Sequence, residues 1–294
     1  MRTPVGAGQV KFSVGYQPLP GWIDAIVENA AAIHDVYFSY GAMPSGRAPL
    51  ADTDRQLDDL GRIADAGIPL GLLFNANCYG ARALSKAFYS ELGETVDRFA
   101  ADGALKSVTT TAPLIARFVK DNFPGVTTRA SVNMEIGTVE GMDYLSDVFD
   151  GFYLKRELNR DLEAVLTVKS WCDGHGKALF ILANSGCLNH CSSHVFHDNL
   201  VAHEAEIVRE DNGYAYRGTC WTWLAKPENR AKWMERTNWI APEDVGRYEG
   251  LCTAMKLATR CNVNPSRVLT SYVTGSHVGD IRDLLEPNHA ALWG

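Results

Sequence analysis

Apolar positions along the chain fall into two alternating rhythms. The first is a short, continuous apolar or β-branched run. It recurs as FSVGY (12–16), VYFSY (36–40), LGLLFNAN (70–77), SVTTTA (107–112), RASVN (129–133), GFYLK (151–155), LFILAN (179–184) and MKLATR (255–260). Unbroken runs of this kind predict parallel strands covered on both faces. The second rhythm is amphipathic. DTDRQLDDLGRIADAG opens on acidic residues and stops at glycine, and SKAFYSELGETVDRFAADG and NRDLEAVLTVKSWCDGHG end the same way. An acidic start and a glycine stop predict helices that hand the chain to the next strand. Strand-type and helix-type runs alternating in this way predict an α/β chain folded as a (β/α)8 TIM-type barrel. No G-x-G-x-x-G loop follows the first run, so an open dinucleotide-binding sheet lacks its usual mark.

One segment breaks the rhythm. Residues 187–238 separate the seventh run from NWIAPEDVGRYEG, where the pattern resumes. An insertion of that size is usually functional, and in a barrel a loop after a strand lies on the catalytic face. The expected organisation is a single domain over 1–294 with a Cys/His-containing insertion at about 187–238 after strand 7. With 294 residues and a 46% hydrophobic share, the chain can build a core of that size.

Charge narrows the partners. The net charge is −7, with no Lys/Arg cluster of the kind a nucleic-acid binder shows. MRTPVGAGQVKFSVGYQ lacks a signal-peptide core, and no window is apolar enough for a membrane span. A cytoplasmic location is expected. Seven cysteines, an odd number without a secretion signal, speak against a disulfide framework.

The candidate chemistry lies in NSGCLNHCSSHVFHDN, at 184–199. Cys187 and Cys191 are spaced C-x3-C among His190, His194 and His197; Cys220 follows in GTCWTWL, and Cys78 sits past the third run in NANCYG. Three or four thiolates converging on the barrel mouth would hold an iron–sulfur cluster. Zinc would be satisfied by Cys187 and Cys191 with two of the histidines, and a Cys–His nucleophile is a third option. Cys172, Cys252 and Cys261 read as buried small hydrophobes. His197 serves equally well at a helix start beside Asp198, and Trp221 and Trp223 as packing around a dry site. Other strand ends carry polar groups a core would not choose: Asn75, Asn77, Asn133, Glu135 and the run Lys155, Arg156, Glu157. If the strand continued through that run, Lys155 and Glu157 would face one way and Arg156 the other. Charges at a barrel mouth bind anionic substrates or do acid/base work, and they also form plain ion pairs between loops.

These residues resemble the peptidase U-32 (collagenase-like protease) family. GFYLKRELNRDLEAV followed by ALFILANSGC matches its strand ending in a basic residue before Arg-Glu-Leu, with a second strand ending at the first of a set of cysteines. GVTTRASVNMEI and AMKLATRCNVNPSRV resemble the strands before and after, and the likeness runs over about 60–275. The chain departs from the pattern: Ala183-Asn184-Ser185-Gly186 replaces a His-Gly, and fewer residues separate the first two cysteines. The resemblance implies a TIM-type barrel with a [4Fe-4S] cluster on Cys187, Cys191, Cys220 and, fourth, Cys78, with Cys252 or an open iron site as the fallback. It implies an oxygen-independent hydroxylase or related redox enzyme acting on a small molecule or a modified macromolecule. A heteromeric partner or electron donor belongs to the same expectation. Glu135, Lys155 and Arg156 are the expected substrate contacts and His194 the proton carrier. The rival expectations are a zinc- or Cys-dependent hydrolase, with zinc on Cys187, Cys191, His194 and His197, and an accessory subunit carrying a cluster.

Overall fold

The computed structural model of the protein describes residues 10–46 and 52–293. The N-terminal reading for residues 1–9 lies outside them. All eight runs form strands: β1 (Phe12–Gly15), β2 (Ile33–Phe38), β3 (Leu70–Phe74), β4 (Leu105–Thr110), β5 (Thr127–Ala130), β6 (Gly151–Tyr153), β7 (Ala178–Leu182) and β8 (Ala254–Leu257). Each pairs with the next, and β8 closes in parallel on β1, so the sheet is the closed barrel the alternation predicts.

The three amphipathic runs form the helices Thr53–Asp65, Lys86–Ala100 and Leu162–Gly174. Each opens on a side chain that satisfies an orphan backbone donor. Asp52 accepts from the Arg55 amide at 3.0 Å, Ser85 from Phe88 at 3.2 Å and Asp161 from Ala164 at 3.1 Å. Phe88, Leu92, Val96 and Phe99 recur at helical spacing on the buried face of the second helix. Gly67 and Gly176 follow the first and third helices with φ of 73° and 63°, a left-handed turn that glycine adopts without strain.

Most of the apolar core lies between the strands and this outer ring of helices. The barrel interior is different: it is partly polar. Asp35 of β2 is 1% exposed and ion-paired with Arg129 of β5. Arg129 stacks over Phe180 at 4.4 Å, and Lys256 of β8 lies 4.2 Å from the Tyr37 ring. Burial opposes the charge on Asp35, but Arg129 and then His34 outweigh it, holding the carboxyl below its usual range.

Several strands stop earlier than their apolar runs. β3 ends at Phe74, β5 at Ala130 and β6 at Tyr153, so their polar tails belong to the mouth loops. The reason is local. The Ser131 hydroxyl accepts the Asn133 amide at 3.3 Å and starts a single 3-10 turn, Val132–Met134. A second such turn, Arg156–Leu158, begins just past β6. Strand alternation therefore does not reach Lys155, Arg156 and Glu157, which corrects the facing assigned to them. Glu157 turns to accept the His190 amide at 3.2 Å. Lys155 packs its stem against Gly137, where an added Cβ would lie 3.3 Å from it.

The excursion between β7 and β8 carries the helices His194–Ala202, Glu204–Ile207, Thr219–Leu224 and Pro227–Arg230. Its two ends meet in an antiparallel bridge between Leu188 and Thr237. It is anchored by a separate apolar cluster of Leu224, Trp233 and Leu285. Trp233 donates its indole N–H to the Gly186 carbonyl at 3.1 Å, fastening the excursion to the end of the β7 loop. Among the described residues no helix is long and apolar enough to cross a membrane.

Candidate functional site at the barrel mouth

The loops after β3, β5, β6, β7 and β8 surround a cavity of about 330 Å³, lined among others by Asn75, Asn77, Arg156, Cys187, His194 and Lys256. This is the carboxyl end of the strands, where barrel enzymes place their chemistry.

Its centre is His194, the first residue of the helix His194–Ala202. Its Nδ1 lies 2.5 Å from Glu135 Oε1 and its Nε2 lies 3.0 Å from Asp198 Oδ2. The imidazole is thus held between two carboxylates from different segments. Arg156 Nη2 contacts the same ring and stands 3.8 Å from Glu135 Oε1. Arg156 is buried, at 8% exposure, because the 3-10 turn after β6 directs it into the mouth. Glu135 takes a left-handed backbone, φ 53°, rare for a residue with a side chain. Such conformations persist where the surroundings impose them, and they gather at functional sites. Asn77 donates to the far side of the network, reaching Asp198 Oδ2 at 3.4 Å.

The structure thus brings Glu135, Arg156 and His194 together. Lys155 is not among the residues lining the cavity. Asp198, Lys256 and Arg260, which do line it, were not expected as site residues. The His194-x3-Asp198 spacing, one helical turn, was the available signal for the first. Lys256 and Arg260 sit inside or just beyond an apolar run and gave none.

The cysteines divide into two groups. Cys187 lies against the network, its Sγ 3.9 Å from Arg156 Nη1. Cys220 opens the helix Thr219–Leu224, and its thiol is pushed up to about 11 by burial first and then by Cys187 and Cys191. Cys187 and Cys191 therefore both lie near enough to Cys220 to act on its thiol. His197 is close by: a Cβ on Gly218 would lie 3.3 Å from Cys220 Sγ and 3.7 Å from the His197 ring. Cys78, by contrast, faces His203, which with the Gly80 amide holds its thiol below the ordinary value. Among the described residues no three His, Cys, Asp or Glu side chains converge closely enough to hold an ion as they stand. The side-chain arrangement does not assemble the four-thiolate set.

The remaining cysteines also separate. Cys172 is fully buried, as expected of a small hydrophobe. Cys252 is partly buried, with burial pushing its thiol up to about 12. Cys261 is exposed and lines the cavity, contrary to the buried role expected for it. The loop after β8 carries it out of the sheet before the outer helices can cover it.

No protein-family model matches the chain, and no curated protein matches it either. Among solved structures it is similar to the U32 peptidase Mk0906, at 16% identity and a TM-score of 0.62, over 87% of this chain and 95% of that one. It is also similar to a mandelate racemase/muconate lactonizing enzyme-like protein from Rubrobacter xylanophilus, at 14% identity and a TM-score of 0.40, over 68% of this chain and 52% of that one. An enolase from Pseudomonas fluorescens gives 13% identity and a TM-score of 0.39, over 66% and 47%. At these identities the likeness is one of fold. The chain shares the whole-length barrel of the U32 peptidase.

Proposed function

We propose that the protein is an enzyme working in the mouth of its barrel on an anionic substrate, and that Cys187, Cys191 and Cys220, which do not converge on an ion as they stand, would draw together around a metal when one binds. One observation carries this reading. His194, held between Glu135 and Asp198, meets the buried Arg156, and the same guanidinium reaches Cys187. Proton transfer, anion binding and a soft thiol thus share one small space, drawn from segments far apart in the sequence.

Each residue has a role. Arg156, with Lys256 on the cavity wall, receives the negative charge of the substrate. His194 moves a proton, and Glu135 and Asp198 fix its ring and compensate the positive charge it gains. An iron–sulfur group on the three thiols would supply electron transfer, in keeping with the redox hydroxylation implied by the sequence resemblance. The soft sulfur donors favour that group or zinc over a hard cation. The hydrolase reading is favoured by one specific feature: a His–carboxylate pair at a barrel mouth can activate water without a redox group.

Metal content separates the two. Protein purified without oxygen is expected to be brown, to absorb near ~400 nm and to carry iron with sulfide, up to about four irons per chain for a cubane cluster. Cys220→Ser is expected to lose most of it. One zinc and no iron would overturn the redox part and leave the hydrolase.

A further inference from the structure

We propose that Cys78, His203 and Glu206 form a reactive-thiolate site that exchanges with small disulfides, separate from the Cys187, Cys191 and Cys220 group. Cys78 lies in the loop after β3, and the Gly80 amide donates to its Sγ at 3.4 Å. His203 caps the far end of the helix His194–Ala202, and its ring faces the same loop, 3.8 Å from where a Cβ on Gly80 would stand. The His203 Nδ1 lies 3.0 Å from Glu206 Oε2. A nucleophile, its base and an orienting carboxylate therefore stand in a row, the arrangement that activates a thiol.

The electrostatics agree with the geometry. The hydrogen bond from His203, then the Gly80 amide, holds the Cys78 thiol below its ordinary value. Partial burial and the Glu206 carboxylate pull the other way, more weakly. The contact with Cys78, then that with Glu206, raises the His203 imidazole in turn. Both shifts favour the thiolate–imidazolium pair, the reactive form of a cysteine.

The position sets the class of partner. Cys78 is only partly buried and the His203 side chain is 29% exposed, so a small electrophile reaches Sγ from solvent. The Gly80 N–H points at the sulfur itself rather than at a place for a carbonyl oxygen, which favours attack at sulfur over acyl transfer. Glu206 stands beside the approach, so a neutral disulfide is preferred to an anionic one. In the step, Cys78 Sγ bonds to one sulfur of the disulfide and the S–S bond breaks. The departing thiolate takes the proton of the His203 imidazolium. Cys78 is oxidised and the departing sulfur reduced, so no other oxidant is required.

The test uses the full chain purified without oxygen, before and after loading with iron and sulfide. Limited alkylation by iodoacetamide at pH 7 is followed by peptide mass mapping. Cys78 is expected to react about tenfold faster than the exposed Cys261, with a pH midpoint below the usual thiol value of about 8.5. His203→Gln should bring Cys78 down to the rate of Cys261. Glu206→Gln, at a side chain 76% exposed and therefore harmless to folding, should slow it several-fold. Addition of 2-hydroxyethyl disulfide should cap Cys78 as a mixed disulfide, and iron loading should leave its reactivity unchanged. Equal rates at Cys78 and Cys261 in the unsubstituted protein would overturn the site. Protection of Cys78 on iron loading would also overturn it and make Cys78 the fourth cluster ligand.

Discussion

Three buried ionisable side chains, Asp35, Arg129 and His289, shape how single substitutions and pH act on this protein. Asp35 and Arg129 are paired inside the barrel, at 1% and 9% side-chain exposure. Removing one partner leaves the other charged and uncompensated in a poorly solvated place. Asp35→Asn is therefore expected to destabilise the fold by about 3 to 5 kcal/mol, read by urea unfolding at pH 7. His289 behaves differently. Its ring is buried between Trp221 and Trp233, at centroid distances of 5.7 and 5.6 Å. Burial pushes its pKa down to about 4, against a smaller opposing pull from the Gly186 backbone. The unfolded chain takes up that proton near pH 6.5 and the folded chain does not, so this contribution is whole above about pH 6.5 and is lost as pH falls toward 4. The expected loss between pH 7.5 and 4.5 is on the order of 2 kcal/mol. It should be absent in His289→Phe, which keeps a ring between the two indoles. An unfolding midpoint equally pH-dependent in both proteins would contradict the assignment. Neither Asp35 nor His289 could be singled out from the sequence. Asp35 sits inside an apolar run, and its partner lies on a strand three further along.

At the level of elements, the loop after β7 is where separate parts of the chain are locked together. Ser185 bridges to Glu286, and the Gly186 amide donates to the Glu286 carbonyl at 3.0 Å. A Cβ on Gly186 would lie 1.9 Å from the Pro287 carbonyl oxygen, a backbone atom that cannot swing aside. Gly186→Ala is expected to push the C-terminal segment off the mouth and to cost about 1 to 3 kcal/mol. Trp233, which donates to Gly186, should report the shift as altered tryptophan fluorescence. Gly186 immediately precedes Cys187, so the position of the first thiol depends on this seam. The elements themselves were largely legible. The apolar runs locate every strand because parallel strands are buried on both faces, and the helix starts could be read from Asp52, Ser85 and Asp161. Where the strands end was not legible. Asn75, Asn133 and Lys155 continue their runs past the strand ends, at Asn133 because the Ser131 hydroxyl takes its amide and starts a 3-10 turn.

At the scale of the molecule, the excursion between β7 and β8 lies over the mouth and brings Cys220 and His194 to the barrel. A metal bridging Cys187 and Cys191 to Cys220 would tie it down. Chelator-treated protein is accordingly expected to melt several degrees below the metal-loaded form, since each 1 kcal/mol shifts Tm by about 2 to 4 °C in a chain of this size. Identical melting would argue against a metal joining these segments. The order of elements and the closed barrel were determined by the sequence alone. Burial on both faces, helix caps and turn glycines are local physics, written in neighbouring residues. The sequence also marked Glu135, Arg156, Cys78 and Cys187 as lying at strand ends, and His194 and Cys220 as lying in the segment that follows strand 7. Which of them meet was decided by the tertiary structure. Only the folded sheet, in which β5 and β7 both pair with β6, brings the loop after β5 to that after β7, putting Glu135 on His194, and only the path of the excursion brings His203 to Cys78. Contacts between segments far apart in the sequence depend on where the backbone carries each side chain, and no local pattern of residues encodes that.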